Sequence, residues 1–311
     1  VAVKLIVDSM ADLPEVRTRF LREAQAAGKL RSPYVVQVLD YGVDGSTPFM
    51  VLEWLEGEDL NQRLKRCGRL PPVEIAKLLR HLGKGLRRAH DADLVHRDIK
   101  PPNLFIARHD DEETLKILDF GIAKGGSVTS SGDNTKTGVV VGSLRYMSPE
   151  QARGLRAVDH RADVWSVGVV TFQALTGALP YEGEGDADLL VKLCTERPRR
   201  ASDVDPGFGG FDAFFERCFD RDIEKRFERV EDLVVAFHRA AGLEEPAAGS
   251  ISFASQSSQP EGVEALAASD GAGAGSAPGA RGDGVTADPV HPTLRGSTLS
   301  LRPRRPLRTW A

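Results

Sequence analysis

The sequence Leu-Val-His-Arg-Asp-Ile-Lys-Pro-Pro-Asn, at residues 94–103, decides how the rest of the chain is interpreted. It places the carboxylate of Asp98, the ammonium of Lys100 and the amide of Asn103 close together in the chain. In an irregular loop, this spacing allows all three side chains to turn toward one point. Sixteen residues after Asn103 comes Asp119, the first residue of Asp-Phe-Gly, whose glycine permits a sharp change of chain direction. The two segments together predict a polar site built from neighbouring loops.

These two segments resemble the catalytic loop and the magnesium loop of protein kinases. The resemblance implies that Asp98 accepts the proton of the acceptor hydroxyl and that Lys100 steadies the transferred phosphate. It further implies ATP as the phosphoryl donor and Mg²⁺ held by Asn103 and Asp119. Either segment alone could arise by chance, but both in this order and at this spacing indicate the family. The expected fold class is α+β, a protein-kinase-like bilobal fold with a truncated small β-lobe and a mainly helical large lobe.

The start of the chain matches part of the small lobe of that family. Residues 1–7, Val-Ala-Val-Lys-Leu-Ile-Val, are apolar and alternating, which predicts a strand. This strand resembles the Val-Ala-Ile-Lys strand, so Lys4 is expected on the inner phosphates of the nucleotide and Ala2 against the adenine ring. By itself, Lys4 would be read as an exposed charge at a strand end. Its expected ion-pair partner is Glu23, in a segment with helical spacing of apolar residues.

The adenine-binding residues follow from the same resemblance. Residues 49–57 resemble the last small-lobe strand and the hinge between the lobes. Leu52 is then expected at the back of the adenine pocket, while the backbones of Glu53 and Leu55 bind the adenine edge. Phe105 is expected to close the pocket from below.

The large lobe is predicted to be mainly helical. Residues 162–175 are almost wholly apolar, so we expect a helix buried at the centre of this lobe. The resemblance to kinases implies that Asp163, within this helix, holds the backbone of the catalytic loop. It also implies that Arg226 pairs with Glu150. Residues 181–188 are interpreted as an acidic, glycine-rich loop. The other expected elements are strands at 35–41, 49–54, 104–107 and 115–118, a turn at 42–46, and helices at 59–67, 72–91, 211–219 and 230–241.

Residues 119–150 resemble a kinase activation segment, and their composition is rich in Gly, Ser, Thr and Val. Ser143 stands where serine/threonine kinases usually have a threonine, and it keeps the hydroxyl. The segment is similar to that of bacterial kinases in which paired threonines are autophosphorylated, so Thr137, and secondarily Thr135, are the expected phosphorylation sites. Arg97 is the expected cation that binds the phosphate. The alternative is that both threonines are only solvated loop hydroxyls.

Composition limits the classes of partner. The chain has 311 residues, 41% of them hydrophobic and 28% charged, with a formal net charge of -4. This balance gives no electrostatic argument for nucleic acid or a membrane surface as a partner. No signal peptide opens the chain, and no apolar run of about 18 residues could span a bilayer. The cysteines Cys67, Cys194 and Cys218 are far apart, which favours a reducing compartment, so a cytoplasmic location is expected.

Three regions are predicted along the chain. Residues 1–55 form a partial small lobe and residues 56–242 form the large lobe. Residues 243–311 are rich in Ala, Gly, Ser and Pro and end in an arginine-rich stretch, which predicts a disordered tail.

The expected function is a serine/threonine protein kinase that acts in signalling and autophosphorylates through self-association. The choice of Ser/Thr over Tyr rests on the resemblance at Lys100. The alternative is a kinase-like binding module or scaffold, because no Gly-x-Gly-x-x-Gly loop occurs before Lys4. We expect instead that Val1 lies inside a longer reading frame or that the chain is a fragment, and that the chain as given is poorly active and less stable. A small-molecule phosphotransferase of similar fold is the weakest reading, because such enzymes lack the activation segment.

Overall fold

The computed structural model describes residues 1–5, 14–45, 47–120, 144–155 and 158–244, which all belong to one compact unit. The first sheet contains β1 (Ala2–Leu5), β2 (Val38–Asp44) and β3 (Thr47–Leu52). All pairs are antiparallel and β3 lies in the middle. Helix α1 (Pro14–Lys29) packs against β2 and buries Phe20, Ala24 and Ala27, the apolar residues at helical spacing.

The connection between β2 and β3 is shorter than the predicted turn at 42–46. Gly42 pairs with Phe49, and Asp44 pairs with Thr47, so Gly42 and Val43 lie within the strand. Gly45 has a φ of 59°, which a glycine adopts without a steric penalty. The hairpin therefore turns within fewer residues than predicted. The prediction of a five-residue turn was wrong because strand pairing continues as far as Asp44 and Thr47.

A second antiparallel sheet contains β4 (Gly57–Asp59), β5 (Leu104–His109) and β6 (Glu112–Ile117), in that order. The predicted hairpin of 104–107 and 115–118 is confirmed, although its strands are longer. Strand β4 was not predicted, because three residues are too short to show a period. The segment between α1 and β2 also bonds to β6. The N–H of Val36 donates to the carbonyl of Ile117 at 3.0 Å, and the N–H of Ile117 donates to the carbonyl of Tyr34 at 2.9 Å.

Helices make up most of the remaining described chain. The helix at Arg161–Thr176 is buried along nearly its whole length, with Trp165 and Phe172 at 0% exposure, as its apolar sequence predicts. Its rings pack against Phe215 and Phe219. The helices are α2 (Leu60–Cys67), α3 (Pro72–His90), α4 (Pro149–Ala152), α5 (Arg161–Thr176), α6 (Asp186–Thr195), α7 (Ala201–Val204), α8 (Asp212–Cys218) and α9 (Val230–Ala240), with 3₁₀ turns at Pro101–Asn103, Leu144–Tyr146, Pro206–Phe211 and Ile223–Lys225.

The reading of residues 181–188 as a loop was partly wrong, because α6 begins at Asp186. Asp186 and Asp188 lie in its first turn, where their charge complements the helix dipole. Leu189 and Leu193 are buried one turn apart. Within the described ranges, no helix is both long enough and apolar enough to cross a membrane.

Candidate active site

The backbone of residues 96–97 is held by one buried carboxylate. Asp163, near the start of α5 and 0% exposed, accepts the N–H of His96 at 2.9 Å and the N–H of Arg97 at 2.8 Å. Its Oδ2 also lies 2.9 Å from Nε2 of His90, the last residue of α3. A buried carboxylate is stable only when it is well bonded, and these contacts meet that need. The prediction that Asp163 holds the loop is therefore confirmed.

His96 is fully buried and connects the loop to the next segment. Its Nε2 lies 2.9 Å from the Leu118 carbonyl, and its Nδ1 accepts the N–H of Asp98 at 3.2 Å. Both bonds are made by one neutral tautomer, with the proton on Nε2. Burial, which outweighs the nearby carboxylates, lowers the pKa of His96 and so favours this neutral form. Its ring also contacts Phe120, with centroids 4.7 Å apart.

Asp98, Lys100 and Asn103 do come together. Lys100 Nζ lies 3.0 Å from Asp98 Oδ2, and Asn103 Nδ2 donates to the same oxygen at 3.1 Å. The same amide nitrogen also donates to the Asp98 carbonyl at 2.8 Å. The Asp98 side chain is 13% exposed, so it is largely shielded from water. Its carboxylate is thereby fixed in one orientation by two donors.

Asp119 lies beside this cluster. The N–H of Leu118 donates to the Asn103 carbonyl at 2.8 Å, which brings the segment after β6 against the catalytic loop. Asp119 has a φ of 43°, a conformation that is uncommon outside glycine and concentrated at functional sites. Its Oδ1 lies 2.8 Å from Lys4 Nζ of β1. The predicted Lys4–Glu23 pair stays a prediction, because the side chain of Glu23 lies outside the described residues.

The available protein ligands fit Mg²⁺ better than a metal ion that is coordinated entirely by protein side chains. Among the described residues, no group of three His, Cys, Asp or Glu side chains could hold a metal ion. Mg²⁺ commonly takes one or two protein oxygen ligands and completes its shell with phosphates and water. Asp119 offers a carboxylate, and Asn103 offers its amide oxygen because its amide nitrogen already donates to Asp98.

The predicted adenine-binding residues lie on strands of both sheets and on the segment that connects them. Ala2 and Leu52 are direct partners across β1 and β3, so both can line one pocket. Leu55 lies between β3 and β4, and Phe105, 4% exposed, lies within β5. Glu53 donates its N–H to the Gln37 carbonyl at 3.0 Å, so its own carbonyl is the backbone acceptor it can offer to a base.

Helix α4, at the end of the expected activation segment, is hydrogen-bonded to the catalytic loop. Ser148 caps α4, and Gln151 Nε2 donates to the Arg97 carbonyl at 3.0 Å. Glu150 and Arg226 form the predicted ion pair, with two bonds of 2.7 and 2.9 Å. Burial alone would raise the pKa of Glu150, but Arg226 outweighs burial and holds it below its ordinary value.

Three of the predicted regulatory residues cannot be placed. Thr135, Thr137 and Ser143 lie outside the described residues. Arg97 is described: it has a φ of 63°, its guanidinium donates to the Val158 carbonyl at 3.2 Å, and its buried Nε has no hydrogen-bond partner.

Sequence reasoning missed several residues that support the site. His90 reaches Asp163 across 73 residues, and Gln151 reaches Arg97 across 54. Glu53 Oε1 accepts from Lys116 Nζ at 2.6 Å and from the N–H of Gln37 at 2.8 Å. No local pattern signals such contacts, because each joins distant elements.

Comparison with known proteins agrees with this geometry. A protein kinase domain matches residues 1–233, so the chain belongs to the protein kinase family. It is 33% identical over 262 residues to serine/threonine-protein kinase pkn2 of Myxococcus xanthus, covering 82% of this chain and 31% of that protein. It is 38% identical over 206 residues to serine/threonine-protein kinase PknL of Mycobacterium tuberculosis, covering 66% and 50%. The chain thus spans about a third to a half of these relatives.

Solved structures show the same fold. The crystal structure of the Mycobacterium tuberculosis PknI kinase domain superposes with a TM-score of 0.60 at 24% identity, covering 76% of this chain and 84% of that one. A second crystal structure of that domain gives a TM-score of 0.61, also at 24% identity, covering 78% and 85%. The expected α+β protein kinase fold is confirmed.

Proposed function

We propose that this chain is a serine/threonine protein kinase that transfers the γ-phosphoryl group of ATP to Ser or Thr hydroxyls of proteins. The observation that carries the proposal is the convergence of Asp98, Lys100 and Asn103 beside Asp119. Relatives named serine/threonine-protein kinase, 33 and 38% identical, support the choice of acceptor.

Asp98 is the group that orients the acceptor. Lys100 and Asn103 orient its carboxylate, which can accept the hydroxyl proton as the oxygen attacks. The hydroxyl oxygen bonds to the γ-phosphorus, the bond from that phosphorus to the bridging oxygen breaks, and ADP leaves. Lys100, whose Nζ lies beside the Asp98 carboxylate, stabilises negative charge on the transferred phosphoryl group. Catalysis in this scheme is positioning and charge neutralisation.

Asn103 and Asp119 are the side chains that would hold Mg²⁺, which when bound neutralises charge on the phosphates. Lys4 would contact the inner phosphates, and its present partner is Asp119, one of the two proposed Mg²⁺ ligands. Ala2, Leu52, Leu55 and Phe105 would surround the adenine, with the Glu53 carbonyl as an acceptor. We propose the same lobe division as the sequence predicts, near residue 55, with residues 243–311 as a separate tail.

Regulation is proposed through Thr135 and Thr137. A phosphate there would add about -1.5 to -2 charge and bind an arginine bidentately. Arg97 supports this proposal, because its buried Nε has no hydrogen-bond partner. Autophosphorylation would require two copies of the chain to meet, at least transiently.

The test is transfer of radiolabelled γ-phosphate from ATP to a generic protein acceptor. Asp98→Asn is expected to lower kcat by about 10²- to 10⁴-fold. Asp119→Asn is expected to raise the Mg²⁺ concentration needed for half-maximal transfer. The matched control, Asp110→Asn, changes a carboxylate in the exposed β5–β6 turn and should leave transfer unchanged. Equal transfer by Asp98→Asn, or no transfer either by this chain or by a chain extended upstream of Val1, would favour the scaffold.

A further inference from the structure

One exposed side of helix α3 carries three cations, Lys77, Arg80 and Lys84, which we call the basic row. They lie three and four residues apart, so they share one face of the helix. In the part of the chain that the structure describes, no carboxylate forms an ion pair with any of them. Lys84 Nζ instead lies 5.4 Å from the centroid of the Tyr34 ring. Burial, followed by the charges of the basic row, lowers the pKa of the neighbouring His81 to about 4, so positive charge accumulates on this face.

The carboxylates near the two ends of α3 are already engaged. Glu74, in the first turn, lies 2.6 Å from Arg63 Nη1. At the other end of the helix, Asp91 and Glu231 lie 3.6 and 3.5 Å from Arg87 Nε. The basic row between these pairs therefore presents its charge to the solvent.

Exposed charges of the opposite sign precede and begin α6. Glu182, Glu184 and Asp186, which we call the acidic row, alternate with glycines and are exposed. Among the described residues, none forms an ion pair with a side chain of the acidic row. The next carboxylate, Asp188, is paired with Lys192 at 2.9 Å.

The backbone of the acidic row is held against α6. The N–H of Glu184 donates to Asp188 Oδ2 at 3.0 Å, and Lys192 Nζ donates to the carbonyl of Glu182 at 3.2 Å. Gly183 packs so closely that a Cβ there would lie 2.6 Å from a backbone nitrogen of α6. The segment is therefore fixed through its backbone, while its carboxylates remain exposed to a partner.

The two rows belong to different parts of the large lobe. Helix α3 packs against α9, β6 and α5, whereas α6 packs against α4 and the 3₁₀ turn Leu144–Tyr146. Arg80 and Lys84 are about 6 Å apart along the helix axis. Glu182 and Glu184 are at most about 7 Å apart, the span of two extended residues. The spacing of the charges thus allows two copies of the chain to pair them one to one.

From this geometry we propose that the basic row of one copy binds the acidic row of a second copy of this chain. Because the two surfaces differ, the contact is head-to-tail, and a pair of copies keeps one row of each kind exposed. Each exposed ion pair contributes about 1.5- to 5-fold to an association constant, so the association is transient and weakens as salt is raised. The inference goes beyond the proposed function, because this association needs no phosphoryl transfer.

The experiment is sedimentation velocity of the full chain without ATP, over a protein concentration series at low and high NaCl. The wild-type chain should gain mass with concentration at low NaCl and lose that gain at high NaCl. Arg80→Glu/Lys84→Glu and Glu182→Lys/Glu184→Lys should each weaken association by about 10-fold or more. A mixture of the two variants should associate again, because each keeps the row that the other has lost. The chain with all four changes has the wild-type net charge and should associate as the wild type does.

A control and a second measurement assign the contact to these residues. Lys29→Glu/Lys65→Glu changes two exposed cations on α1 and α2, gives the same net charge as the α3 variant, and should associate as the wild type does. Zero-length carbodiimide cross-linking of mixed isotopically light and heavy wild-type chains should join the lysines of the basic row to the acidic row of the other copy. These cross-links decide the question even if a variant fails to fold.

A wild-type chain that stays monomeric at low NaCl overturns the inference. An α3 variant that associates as the wild type does, or a mixture of folded variants that fails to associate, also overturns it. An equal loss in Lys29→Glu/Lys65→Glu would assign the effect to net charge, and cross-links from the basic row to other carboxylates would assign it to another surface; both results contradict the pairing. Failure of the proposed function would appear in the phosphoryl-transfer assay and leave these masses unchanged.

Discussion

Lys4 Nζ lies 2.8 Å from Asp119 Oδ1, so the expected phosphate ligand and an expected metal ligand are bonded to each other. Their side chains are 38% and 42% exposed, which makes this a weak ion pair that a nucleotide can replace. The pair therefore holds both groups at the cleft without adding much stability.

Lys4→Met should consequently affect activity and leave stability nearly unchanged. Loss of a hydrogen bond to a charged group costs about 1.5–3 kcal/mol, or about 10- to 150-fold in kcat/KM for ATP. The free energy of unfolding should change by less than about 1 kcal/mol. Steady-state kinetics and urea denaturation measure the two quantities. Unchanged kcat/KM would exclude Lys4 from the nucleotide site.

The buried pair of Glu150 and Arg226 should behave in the opposite way. Their side chains are 5% and 0% exposed, so removing one charge leaves the other buried without a partner. Arg226→Met should lower the free energy of unfolding by about 3–5 kcal/mol. The double variant with Glu150→Gln should lose less than the sum of the single variants. Lys225→Met, which breaks the exposed pair with Asp222, is the control and should cost less than about 1 kcal/mol.

His81 should make the free energy of unfolding fall at acid pH. Burial, with help from Lys77, Lys84 and Arg80, lowers its pKa to about 4 from 6.5, and its Nδ1 accepts the N–H of Leu115 at 3.2 Å. Between these pKa values the unfolded chain binds the proton and the folded chain does not. The stability is thus complete above about pH 6.5 and is lost as pH falls through about 4.

His81→Gln tests this pH dependence, because it keeps an acceptor for Leu115 and does not titrate. Urea denaturation at pH 7.5, 6 and 5 should show a steeper loss of stability for the wild-type chain than for the variant. Parallel losses would show that His81 does not titrate differently on folding.

Gly85→Ala should destabilise the protein although alanine favours helices. A Cβ at this position of α3 would lie 2.7 Å from Ile117 Cδ1 and 3.0 Å from the Tyr34 carbonyl oxygen. The helix-propensity gain is about 1 kcal/mol, whereas overpacking costs about 1–3 kcal/mol and the carbonyl belongs to backbone already bonded to Ile117. We expect a net loss in urea denaturation. A gain in stability would mean that the Tyr34 segment shifts freely.

The sequence predicted a contact where both of its residues lie in segments that resemble kinase motifs. Asp163 with the catalytic loop and Arg226 with Glu150 were predicted in this way and are confirmed. The contact of Lys116 with Glu53 was not predicted. A lysine in a strand can bind any of several groups, and tertiary packing determines which one it contacts. Helix α6 was read partly as a loop because glycines and acidic residues precede it, and its burial of Leu189 becomes evident only in the fold.

Thr135→Ala/Thr137→Ala should abolish activation by autophosphorylation. Wild-type chain incubated with ATP should be more active than the same chain treated with phosphatase, because phosphate would bring charge to Arg97. The double variant should match the phosphatase-treated chain in both conditions, and mass spectrometry should show the loss of phosphate at these positions. Thr129→Ala, a change of another threonine in the same segment, should still be activated. Full activation of the double variant would contradict the assignment, since charge at Thr135 or Thr137 would then be unnecessary for ordering the site.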